Sequence, residues 1–126
     1  MRLLLLAASG GAIGAGARHI VNVACLRWFG PAYPWSTLIV NVAGSLMMGF
    51  LVETIVLRYD GSVVMRTFLA TGILGGFTTF SAFSMDVFAL FERGATVTAF
   101  GYIAVSVFAS IAALYAGIAA SRGIFG

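Results

Sequence analysis

Four stretches of this chain carry no charged residue: Leu3 to Ala17, Trp28 to Val52, Thr67 to Met85 and Gly94 to Ser121. Three of them reach or approach the roughly 20 residues that a membrane-spanning helix needs, and the first does so once it is carried past Arg18 to Leu26. The chain is 61% hydrophobic and 9% charged, with a mean hydropathy of +1.06. A soluble domain devotes about a quarter of its residues to charge, so this one lacks the polar surface to be one. It reads as an all-α integral membrane protein, a single domain over 1–126 with four spans at about 3–26, 35–57, 66–90 and 95–120.

The opening Met1-Arg2, four leucines and Ala7-Ala8-Ser9 has the look of a signal peptide. Its apolar character continues well beyond the length of such a segment, so the first helix is expected to be retained. Cys25 is the single cysteine, which excludes an intrachain disulfide and a cysteine metal cluster. The net charge of +3 comes from seven arginines and no lysine, scattered at span ends as interfacial anchors rather than clustered for nucleic acid. With four spans, Arg2, Arg58, Arg66 and Arg122 fall on one side and Arg27 and Arg93 on the other, joined by Arg18 if it snorkels that way. So weak a bias fixes orientation poorly, and such a chain is able to insert both ways up.

Four helices are too few to enclose a pathway and still shield it from lipid, so an oligomer is expected. Gly10 and Gly14, Ser45 and Gly49, and Gly72 and Gly76 are small residues four apart, the spacing that lets helix backbones approach closely. Thr37, Asn41 and Ser45 form one polar stripe on the second span, and Tyr102, Ser106 and Ser110 a second on the fourth. Taken singly, such residues are interhelical glue worth about 0.6 kcal/mol per contact. Two registered stripes, one with an asparagine at mid-membrane, point instead to a polar track. All these residue types donate hydrogen bonds, and no charge lies near the middle of either span. Neutral donors suit a small anion that must bind and also leave; a proton-coupled pump wants a titratable group at depth.

The third span is interrupted by Gly72-Ile73-Leu74-Gly75-Gly76-Phe77-Thr78-Thr79-Phe80-Ser81-Ala82-Phe83. Backbone freed from helical bonding survives in a bilayer only where it is buried in protein or borders a site. Gly75 and Gly76 allow close approach and irregular dihedrals, releasing carbonyls that suit a small hard cation such as Na⁺. Alternatively, Thr79 and Ser81 bond back to their own helix and merely bend it. Phe80 and Phe83 lie on one face if the helix resumes there, either as packing or as rings whose positive edges attract an anion.

Arg18 interrupts the first span, either snorkelling to the interface or forming a cationic vestibule. His19 beside it has no second ligand for a metal site. Glu53, Asp86 and Glu92 lie near span ends and read as interfacial. No nucleophile, base and orienter set is visible, so no enzyme activity is expected.

These motifs together resemble the Fluc/CrcB family of fluoride channels over essentially the whole chain. Gly10-Gly11-Ala12-Ile13-Gly14-Ala15-Gly16-Ala17-Arg18 is similar to the family's glycine-rich opening motif ending in arginine. Thr37-Leu38-Ile39-Val40-Asn41-Val42-Ala43-Gly44-Ser45 is similar to its pore-asparagine motif, and Gly72 to Phe83 to its third-helix break. The sequence departs from the family pattern at Ser36, Ala82, Asp86 and His19, where glycine, threonine, glutamate and tyrosine are more usual.

The resemblance implies a dual-topology, antiparallel homodimer in a bacterial inner membrane, with two fluoride pathways and a structural sodium ion at its centre. Carbonyls of Gly75 and Thr78 would hold the sodium, while Phe80 and Phe83 would line the pathways. Asn41 would donate to fluoride, Tyr102, Ser106 and Ser110 would form the track, and Arg18 would stand near the vestibule. Thr37, Thr79 and Ser81 join the expected pathway from their places on the stripe and break. It implies passive efflux of fluoride that has entered as neutral HF and become trapped. A small multidrug-resistance-type exporter is the main rival, but it relies on a carboxylate in the first span, and Leu3 to Leu26 has none. A non-transporting membrane assembly subunit, its glycines used only for packing, is the other.

Overall fold

A computed structural model describes all residues, 1–126. It is built from helices alone: α1 (Arg2–Phe29), α2 (Trp35–Arg58), a composite third crossing, and a last helix, Thr96–Phe125. The third crossing spans Val63–Glu92 and consists of two halves. Its first half, α3, joins Val63–Met65, Arg66–Leu74 and Gly75–Phe77; its second half is α4 (Ser81–Glu92), and the last helix is α5. Four crossings are long and apolar enough to span a membrane, the fold class the composition dictates. At 28 residues α1 is about 42 Å long, more than the roughly 30 Å hydrocarbon core, which leaves its ends among headgroups.

The connections are short. The turn from α2 to α3 passes through Asp60 (φ 54°), the one non-glycine residue with positive φ, and Gly61 (φ 67°). An L-residue is strained in that region, and Asp tolerates it because its short polar side chain bonds locally. Ser62 then caps α3, its Oγ accepting from the Met65 N–H at 3.3 Å.

Two seams hold the helices together, and glycine makes both. Where α1 crosses α3, a methyl group on Gly14 would land on the Ile73 carbonyl oxygen, and one on Gly76 would meet the backbone of Gly11. Where α2 lies along α5, Gly49 faces the Leu114 carbonyl and Gly117 the Leu46 carbonyl. Backbone-to-backbone contact of this kind gives dispersion and close dipole packing where water supplies no driving force. Gly10 and Gly72 also pack on each other, as their spacing predicts; Ser45 borders a cavity instead, and Gly117 emerges as the partner of Gly49. One end of the α2–α5 seam is closed by the Thr54 and Ser121 hydroxyls, 2.7 Å apart, and by the Arg122–Glu53 ion pair at 3.3 Å.

The break lies later than the glycines predict. Gly75 is helical (φ −63°, ψ −37°), and the chain leaves the helix only at Thr78 (φ −83°, ψ 158°). The glycine pair therefore gives no irregular dihedral: Gly76 is small because α1 presses on it. Over Arg66–Leu74 the hydrogen bonding also widens to the π-helical i→i+5 pattern, with the Gly75 N–H reaching the Ala70 carbonyl. Such widened turns cluster at functional sites in other proteins, and this one leads directly into the break.

Candidate functional site

Between Phe77 and Ser81 the backbone has to find partners outside its own helix. Asn41 of α2 supplies them for Thr79. Its Nδ2 donates to the Thr79 carbonyl at 2.9 Å and its Oδ1 accepts from the Thr79 N–H at 2.8 Å. A primary amide is the one side chain that reproduces both halves of a peptide group in this way. Thr79 Oγ1 in turn accepts from the Ala82 N–H at 3.2 Å, capping α4 at its start, and lies 3.4 Å from Ser81 Oγ. Thr78 bonds back to its own helix, its hydroxyl donating to the Leu74 carbonyl at 3.1 Å. Arg18 of α1 donates from Nε to the Gly76 carbonyl at 3.1 Å. The carbonyls of Gly75, Phe77 and Thr78 receive no hydrogen bond from backbone or side chain.

The break opens on a groove of about 370 Å³ between α2, α4 and α5. Asn41 and Ser45 line one wall, Ser106 and Ser110 the opposite wall, and Thr78, Thr79, Phe80 and Phe83 the break itself. The two polar stripes thus face each other across one cavity. The Ser106 hydroxyl is buried on that wall with no hydrogen-bond partner, an arrangement that normally marks a place for water or an ion. Phe80 is 77% exposed in the single chain, so one side of the groove has no wall.

Two members of the stripes lie below the groove. Tyr102 is completely buried, and its hydroxyl donates to Asp86 Oδ2 at 2.9 Å. Thr37 borders two smaller polar cavities of about 220 and 170 Å³, which share Asn22, Ser36, Thr37 and Asp86. Arg18 and His19 line the first of these, and Arg93 the second. Thr79 borders both the larger groove and the cavity of Arg18, so the Asn41–Thr79 pair is the partition between them. Ser81 lines neither.

Aromatic rings continue this wall outward. Phe80 and Phe83 have centroids 5.5 Å apart, Phe83 and Tyr102 5.3 Å, Tyr102 and Tyr33 5.6 Å, and Tyr33 and Trp35 4.8 Å. The series runs from the break to the loop between α1 and α2, where burial raises the Tyr33 phenol above its ordinary pKa.

Three expectations change. Arg18 neither snorkels free nor simply lines a vestibule, because its Nε is committed to Gly76. Asn41 spends its carbonyl and one amide N–H on Thr79, leaving a single N–H for any ligand. Asp86 is no bystander at a span end: it is half-buried and anchors Tyr102. Its place one helical turn beyond Ala82 on α4, opposite the fourth-span tyrosine, was the available signal. No three His, Cys, Asp or Glu residues gather anywhere in the chain.

Four apolar crossings around a broken helix and a cavity of neutral donors define a multi-pass membrane protein with an intramembrane polar site. The family model described as CrcB-like protein, Camphor Resistance (CrcB), matches residues 5–118, and the chain belongs to that family. A relative from Agrobacterium fabrum is 51% identical over 122 residues, covering 97% of this chain and 98% of its own. One from Cereibacter sphaeroides is 54% identical over 120 residues, covering 95% and 94%, and one from Rhizobium meliloti 48% over 124, covering 98% and 99%. All three are named fluoride-specific ion channel FluC.

Proposed function

We propose that this protein is a fluoride channel of the bacterial inner membrane, passing the anion passively down its electrochemical gradient and so relieving cellular fluoride toxicity. The single observation that carries the reading is the buried, unpartnered Ser106 hydroxyl facing Asn41 across the groove. Fluoride is small and strongly hydrated, so it leaves water only for other hydrogen-bond donors. Ser106, Ser110, Ser45 and the remaining Asn41 N–H supply donors without a cationic side chain among them to trap the ion. The rings of Phe80 and Phe83 offer an apolar wall whose edges are electropositive. Full names of close relatives over their whole length support the same substrate.

The working unit in this reading is an antiparallel homodimer. A groove lacking a wall beside an exposed Phe80 is half a conduit, and the balanced arginine distribution permits both orientations. A structural sodium ion fits the break, since the Gly75 and Thr78 carbonyls have no donor and bare carbonyls at mid-membrane suit a hard cation. Bound there, the ion would supply fixed positive charge that these carbonyls neutralise in part.

Purified protein in liposomes, loaded with potassium fluoride and read with a fluoride-selective electrode, tests the channel directly. Rapid fluoride efflux with chloride retained is expected; no fluoride release, or equal chloride release, overturns it. For the cation, sodium density between two Gly75–Thr78 segments is expected in a dimer structure, and a well-resolved empty centre counts against it.

A further inference from the structure

The geometry points to Arg18 as a positioning residue that decides which carbonyls of the break are left to a cation. This role rests on the sodium site proposed above. When α3 ends at Phe77, its last carbonyls lose their usual donors and form the negative end of a helix. Leu74 keeps a partner in the Thr78 N–H and hydroxyl, at 3.0 and 3.1 Å. Gly76 gains Arg18 Nε at 3.1 Å, and Thr79 gains Asn41 Nδ2 at 2.9 Å. Gly75, Phe77 and Thr78 remain bare, on either side of the Arg18 contact, and of these Gly75 and Thr78 are the pair assigned to the cation above.

The reach of Arg18 is built into α1. Gly10, Gly14 and Arg18 recur every four residues and share one face. The two glycines bring that face into backbone contact with Gly72, Ile73 and Phe77, so the guanidinium arrives one turn further on, level with Gly76. An arginine placed for solvent would not need this approach. The glycine-rich segment and its terminal arginine are thus one device: the glycines set the distance and the arginine closes a single carbonyl.

A positive charge so near a cation site also repels the cation, so the two effects of Arg18 predict opposite outcomes. Without the charge alone, sodium binds more tightly; without the clamp, the Gly76 carbonyl swings free and the Gly75–Thr78 pair loses its register. The clamp is the larger effect in this proposal, because charged hydrogen bonds to buried backbone are geometrically strict.

The test uses the intact purified dimer and sodium chloride against choline chloride, reading the midpoint of sodium binding as the apparent Kd fitted to the logarithmic rise of melting temperature with concentration. In Arg18→Met this midpoint is expected to rise about tenfold, the cost of one charged hydrogen bond, with Arg18→Lys between it and wild type. Amide exchange at Phe77 to Phe80 is expected to speed up in the same order. An Arg18→Met protein with an unchanged or lower midpoint overturns the positioning role while leaving the cation site standing. If Arg18→Met does not fold, Arg18→Gln, which keeps an N–H donor without the charge, replaces it: a midpoint well below that of wild type would mean that repulsion dominates and overturns the role. A wild-type protein indifferent to sodium overturns the cation site itself, and the role with it.

Discussion

Asn41 and Thr79 are joined by a pair of opposed hydrogen bonds, 2.9 Å from Nδ2 to the carbonyl and 2.8 Å from the N–H to Oδ1. The side chain of one helix thereby replaces a missing turn of another. Without it the Thr79 peptide would carry two unsatisfied groups inside the bilayer, at a cost of about 1–3 kcal/mol each.

Replacing Asn41 by Asp removes the donor to the Thr79 carbonyl and sets two acceptors against each other. The expected outcome is destabilisation of about 2–4 kcal/mol together with at least a tenfold loss of fluoride flux. Thermal unfolding and liposome efflux measure the two separately, and wild-type values in both would remove Asn41 from the site.

Ser106→Ala separates pathway from scaffold. The hydroxyl has no partner within the chain, so its loss breaks no hydrogen bond, and stability is expected to stay within about 0.5 kcal/mol of wild type or to rise. Fluoride flux is expected to fall severalfold. A mutant with normal flux would mean that Ser106 faces no permeating ion.

Gly14→Ala and Gly16→Ala form a matched pair on one helix. The added methyl at Gly14 strikes the Ile73 carbonyl oxygen, whereas at Gly16 it meets nothing. Backbone does not yield as a flexible side chain does, so Gly14→Ala should cost about 1–3 kcal/mol, and Gly16→Ala should be neutral or slightly stabilising. Denaturant titration in detergent reads both; equal effects would contradict the α1–α3 seam.

Phe80→Ile keeps an apolar side chain while removing the ring's electropositive edge. Phe80 makes its one ring contact with Phe83 and is otherwise exposed, so the fold of the protomer is expected to survive, with dimerisation intact and fluoride efflux reduced. Size-exclusion chromatography and the electrode assay check these two halves. Full flux would assign Phe80 to packing.

Much of this architecture is legible before any coordinates. Spans follow from charge-free length, and the facing stripes of Asn41 with Ser45 and Ser106 with Ser110 follow from a spacing of four on helices. What the chain conceals is which group answers which. Gly75 and Gly76 look like the point of rupture, yet Thr78 is, because rupture occurs where another helix offers a substitute partner rather than where the backbone is most permissive. The widened turns of Arg66–Leu74, which pack along α1, have no compositional mark. Arg18 and Asp86 look like interfacial charges because their partners, a carbonyl and a phenol, lie on other helices. A mid-membrane asparagine three residues from a glycine, with a hydroxyl-rich break in the next span, is the one sequence sign that a side chain there completes a backbone.

The rings that run from Phe80 through Phe83, Tyr102 and Tyr33 to Trp35 tie a mid-membrane surface to a short loop at the bilayer edge. Contacts between neutral rings are indifferent to ionic strength, so this spine keeps its shape in brine or in dilute buffer alike. The packing of Pro31 to Pro34 is therefore mechanically continuous with the wall that Phe80 and Phe83 present to the groove.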